Sequence, residues 1–162
     1  MKKSLFLLAS ATLLIASSCQ TNVSKKDYSQ ASVSFRYRKG YADASSGKRY
    51  KAIEIPSLDT ELASKVIALD QSIRNESLQD YPVSDGDEYI GDYRFRLTLD
   101  DDFRCLVWKV NAKMILVSDK TSLAKQSMKS WTYQESPDSK LESMLSSLTS
   151  QETVVTDDQP SL

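Results

Sequence analysis

The sequence predicts an α+β fold: one small domain with a twisted antiparallel sheet of about five strands and two or three helices packed on one face. Three observations predict it. Residues 32–38 and 93–99 alternate apolar and polar side chains with the period of a half-buried strand. Leu58, Leu62, Val66, Leu69 and Ile73 recur at helical spacing and form one apolar stripe. Runs of strands are broken by helical stretches in the order β-β-α-β-β-β-(α/β)-α, the pattern of an α+β domain.

In residues 32–38, Val33, Phe35 and Tyr37 face one way, and Ser34, Arg36 and Arg38 face the other. Residues 40–47 read as a loop. Residues 50–55 read as a second strand, with Ile53 and Ile55 on one face and Pro56 as its stop. Ser57 or Asp59 caps the helix that follows, and Asn75 ends it. Residues 80–92 are rich in turn formers and acids and read as a loop. After the strand at 93–99, Asp100, Asp101 and Asp102 make a turn. Residues 103–110 return as a strand that is apolar on both faces, so it is expected at the centre of the sheet. Residues 114–117 form another strand, and residues 123–133 fit a short helix, a strand or both. Ser136 and Pro137 open a last helix with Leu141, Met144, Leu145 and Leu148 on one face.

Composition narrows the chemistry. The chain has 162 residues, 21 Lys+Arg against 22 Asp+Glu, a net charge of −1, and 40% hydrophobic residues. This is ordinary globular composition, and the near-zero charge argues against a nucleic-acid partner. There is no His, so imidazole bases and imidazole metal ligands are excluded.

The N-terminus carries an address. Lys2 and Lys3 precede an apolar run, 5–15, then Ala16, Ser17 and Ser18 stand directly before Cys19. A run of roughly 11 residues is too short to span a bilayer, which needs about 20. These residues resemble the lipobox of bacterial lipoproteins, although Ala16 stands where Leu is commonest. The resemblance implies cleavage after residue 18 and acylation of Cys19, which joins the chain to the bilayer. Gln20, rather than Asp, resembles the default signal for the outer membrane in Gram-negative lipoproteins. The competing reading is an ordinary secretory signal, leaving Cys19 free to pair with Cys105. The expected organisation is a signal peptide over 1–18, a lipidated Cys and polar tether over 19–30, the domain over 31–150, and a frayed acidic tail over 151–162.

Catalytic patterns are weak. Ser122 and Lys125 match S-x-x-K, but the companion S-D-N and K-T-G motifs are missing. Gly47-Lys48 lacks the remaining phosphate-loop positions, so no cofactor is expected. Cys105 sits in an apolar strand with no His to activate it and reads as a structural thiol. Asp85, Asp87, Glu88 and Asp92, with Asp100, Asp101 and Asp102, offer oxygens for Ca²⁺ but lack EF-hand spacing, so no metal is expected.

The distinctive feature is a near-repeat, Phe35-Arg36-Tyr37-Arg38 and Tyr93-Arg94-Phe95-Arg96. If the two strands are neighbours, Arg36, Arg38, Arg94 and Arg96 share one face, with Arg104 expected near them. Arg forks suit carboxylates and phosphates, and adjacent like charges cost stability unless an anion meets them. The expected function is that of a non-enzymatic envelope lipoprotein binding an envelope protein, a glycan or an anionic ligand. The alternatives are a carboxylate- or Ser–Lys-based envelope hydrolase and a structural subunit of an envelope assembly. Residues 50–78 followed by the 93–110 hairpin also resemble an extracytoplasmic domain that accompanies some peptidoglycan deacetylases and anti-sigma factors. No diagnostic motif accompanies that resemblance. It implies envelope binding or sensing and assigns no residue.

Overall fold

A computed structural model describes residues 26–43, 47–83 and 91–150. The expected signal peptide, Cys19 and the expected acidic tail lie outside the described residues, as do Asp85, Asp87 and Glu88. The fold is α+β. Seven antiparallel strands form one sheet: β1 (Ser32–Asp43), β2 (Gly47–Ile55), β3 (Gln79–Pro82), β4 (Tyr93–Leu99), β5 (Asp102–Lys109), β6 (Met114–Asp119) and β7 (Ser127–Thr132). Their spatial order is β2-β1-β4-β5-β6-β7-β3. Three helices accompany them: α1 (Thr60–Ile73), α2 (Lys120–Ala124) and α3 (Ser139–Ser150).

The sheet is wider than the expected five strands for two reasons. Residues 123–133 split into the end of α2 and all of β7. The acidic stretch holds β3, which pairs Gln79–Pro82 with residues 127–130 of β7. This strand has no apolar alternation to announce it. It is short and largely exposed, and it ends in a proline, as edge strands often do. The β1–β2 hairpin is also longer than expected. Gly40 pairs with Tyr50 inside it rather than opening a loop.

β2 and β3 stand at opposite edges, so the segment joining them must cross the whole sheet. Six strand spacings of about 4.8 Å make roughly 29 Å. The 14 residues of α1 cover about 21 Å of that. Asp59 caps the helix by accepting from the Leu62 N–H at 2.9 Å. Its stripe of Leu62, Val66, Leu69 and Ile73 is buried against the sheet. α3 packs on the same face through Leu141 and Leu145. Its cap is Asp138, whose carboxylate accepts from the Leu141 N–H at 3.0 Å. Ser136, the expected cap, instead bonds the Glu142 carboxylate at 2.9 Å.

The core between sheet and helices holds Val33, Phe35, Phe95, Leu97, Leu106, Trp108, Ile115 and Val117. β5 is the central strand, as its two-sided apolar pattern requires. Trp108 is fully buried there and its indole N–H donates to the Tyr133 hydroxyl. The Tyr93 hydroxyl meets Ser146 of α3 at 2.9 Å. A buried carboxylate ties α1 to the sheet. Asp70 accepts from Arg74 Nε at 2.9 Å and from Arg104 Nε at 2.7 Å.

Packing begins before residue 31, inside the stretch expected to be tether. Tyr28 is 4% exposed and Arg74 lies over its ring at 5.1 Å. Burial, then a hydrogen bond with Asp102, pushes the Tyr28 hydroxyl up to about 12. An aromatic residue has enough apolar area to hold a segment that its polar neighbours alone would leave in solvent.

Candidate functional site

The helices α1 and α3 cover one face of the sheet, and the candidate site lies on the other. β1 and β4 are hydrogen-bonded neighbours, in a register that sets Arg36 directly opposite Arg94 and Ser34 opposite Arg96. Period-two alternation then puts Arg36, Arg38, Arg94 and Arg96 on one face, away from the core that holds Phe35, Tyr93 and Phe95. Arg104 does not join them. It alternates with Cys105, faces the helices, and bonds the buried Asp70. The expectation of Arg104 near the cluster is corrected by this register.

Two acids are built into the arginine face. Glu54, opposite Arg36 on β2, forms an ion pair with Arg36, Oε1 to Nε 2.8 Å. Asp92, just before β4, bonds Lys109 at 3.3 Å. A narrow recess of about 40 Å³ lies between Arg36, Arg38, Asp92 and Arg94.

Beside it is a larger open cleft of about 700 Å³. Ser34, Arg36, Arg94, Arg96 and Cys105 line it along β1, β4 and β5. Ile55 and Pro56 at the end of β2 lie on one side, and Phe103 and Leu123 on the other. Arg96 is exposed, and its guanidinium carbon lies 4.1 Å from the Phe103 ring centroid. Stacking occupies the flat face of a guanidinium and leaves its in-plane N–H groups available. Among the described residues Arg96 has no carboxylate partner.

The sequence reading missed Glu54, Phe103 and Leu123. Phe103 lies on the same strand face as Cys105, but seeing it under Arg96 needs the β4–β5 register. Leu123 comes from α2, whose position depends on the β6–β7 connection. Cys105 is a free thiol, 4% exposed. Burial pushes it up, and the nearby Arg94 and Arg96 work the other way.

The remaining candidates have structural roles. Ser122 stands at the third position of α2 in a capping box. Its hydroxyl donates to the Asp119 carboxylate at 2.8 Å and accepts from the Asp119 N–H at 2.8 Å. The backbone N–H of Ser122 holds the Asp119 carboxyl below the usual range. Lys125 meets Ser122 through a backbone hydrogen bond at 3.1 Å. In the Asp100–Asp102 turn, Asp100 pairs with Lys26 at 3.7 Å and Asp102 bonds the Phe103 N–H at 2.9 Å. Asp100 takes the left-handed conformation that closes the turn, with φ 52°. Among the described residues no group of His, Cys, Asp and Glu could hold a metal ion. No helix among them is long and apolar enough to cross a membrane.

No family model, no curated protein and no solved structure matches this chain.

Proposed function

We propose that this chain is a bacterial envelope lipoprotein, held in the outer membrane by acylated Cys19, whose domain binds an anionic group of an envelope partner. The observation that carries the binding half is the cleft, where Arg36, Arg94 and Arg96 converge with one carboxylate, Glu54, among its lining residues. Guanidinium forks at a concave surface are suited to carboxylate or phosphate groups. A glycoside hydrolase needs two carboxylates facing the scissile bond, and a Ser–Lys hydrolase needs a serine hydroxyl aimed at its lysine. Glu54 is paired with Arg36, and the Ser122 hydroxyl is engaged at the cap of α2. The anchor half rests on the lipobox-like residues before Cys19.

Crosslinking capture from intact cells tests both halves. Full-length tagged protein is compared with the variant carrying Ser at positions 36, 38, 94 and 96. The proposal expects an envelope component captured in near-stoichiometric amount and lost from the variant. Equal capture by the two proteins refutes the arginine face. In the same cells Cys19→Ala is expected to leave the membrane fraction, and unchanged sedimentation with membranes refutes the anchor.

A further inference from the structure

The cleft has an apolar side as well as a cationic one. Leu123 is the exposed large hydrophobic residue among those described, at 37%, and it stands on the rim of the cleft. Phe103 is half-buried beneath Arg96, and Pro56, just past the end of β2, stands opposite across β1 and β4, while Ile55, paired with Phe35, packs toward the core. An exposed leucine alone means little, because single surface apolar residues are common. Here it shares one cleft with an aromatic ring and a proline around one guanidinium whose in-plane donors are available. The volume, about 700 Å³, falls within the range of small-molecule sites.

The charge pattern selects the head group. Arg36 is bonded to Glu54, whereas Arg96 is held by stacking alone among the described residues. The in-plane donors of Arg96 match the two oxygens of a carboxylate in a bidentate pair. Burial keeps the Cys105 thiol neutral at the floor, so it adds no opposing charge.

We infer that the cleft takes a carboxylate carried on an apolar body, of the aryl or branched acyl class. The carboxylate lies on the edge of Arg96, and the body lies between Phe103 and Leu123 on one side and Pro56 on the other. This deepens the anion-binding reading above and rests on it.

The test is a binding titration of the Cys19→Ala protein with 2-naphthoate, 2-naphthamide, acetate and inorganic phosphate, followed by NMR. Naphthoate is expected to bind at least tenfold more tightly than each of the other three. Arg96→Gln is expected to weaken naphthoate at least tenfold, and Leu123→Ser severalfold. Lys140→Gln, an exposed cation of α3 on the opposite side of the sheet, is expected to change it less than twofold, which separates a local fork from net charge. Phosphate binding as tightly as naphthoate removes the apolar half of the inference and leaves the anion site standing. Naphthamide binding as tightly as naphthoate removes the role of Arg96 and the anion site with it. Absence of naphthoate binding overturns the inference, and binding of phosphate in that same titration keeps the broader reading.

Discussion

Removing the Asp70 carboxylate is expected to destabilise the domain more than any change on the arginine face. The side chain is 1% exposed and accepts from two guanidinium groups that are themselves only 17% and 16% exposed. Asp70→Ala leaves both cations under α1 without their counter-charge. Breaking a buried pair by removing one partner costs about 3–5 kcal/mol. Both arginines keep some contact with water, and both lose the same partner, so we take the low end once, about 3 kcal/mol. That is a large share of the roughly 5–15 kcal/mol that stabilises a domain. With a urea slope of about 1.5 kcal/mol/M, the midpoint falls by about 2 M. The assay is equilibrium urea denaturation of the Cys19→Ala background, read by fluorescence of the buried Trp108. Asp70→Leu combined with Arg74→Met and Arg104→Met removes the whole ion triad. It is expected to recover most of the loss, because an apolar replacement of a buried triad is often neutral or better. A shift below about 1 kcal/mol for Asp70→Ala, or no recovery in the triple variant, refutes the reasoning.

Three further outcomes are expected. Leu145→Ala, at a fully buried position on α3, should cost about 2–5 kcal/mol in the same urea assay; a loss under about 1 kcal/mol would mean that α3 is not seated on the core. The Asp119 carboxyl is held below the usual carboxylate range, chiefly by the Ser122 N–H. The folded state therefore holds the proton less tightly, so this contribution is full above the unfolded value and is lost as pH falls through the lower folded one. Asp119→Asn keeps a cap but removes the titration, so its acid unfolding curve should be flatter below about pH 4, and identical curves would contradict the assignment. In the Cys19→Ala protein, Cys105 should react with a thiol reagent at least about a hundredfold more slowly when folded than in urea, because the thiol is buried and kept protonated. Labelling of the native protein at the unfolded rate would overturn that placement.

Much of the fold was legible because strands and helices write their periods into the chain. Val33, Phe35 and Tyr37 announce β1, the stripe from Leu62 to Ile73 announces α1, and the two-sided apolar run of β5 places it at the centre. β3 escaped because an exposed edge strand needs no apolar face. Gly40 misled because a glycine also sits comfortably inside a long hairpin. Tyr28 escaped because one aromatic residue in a polar stretch has no period to read.

The arginine face illustrates where sequence stops. Alternation alone determines that Arg36 and Arg38 share a face of their strand, and that Arg94 and Arg96 share a face of theirs. The resemblance of residues 16–19 to a lipobox is legible in the sequence too, because charge, apolar length and small residues are local properties. Only pairing decides that the two strands are neighbours, that Arg36 meets Arg94, and that Arg104 turns inward to Asp70. A one-residue slip of register would reverse each of those faces. The cleft itself belongs to no segment. It exists because β2 ends, α2 turns and Phe103 stacks at one place, and those distances are set by packing between residues far apart in the chain.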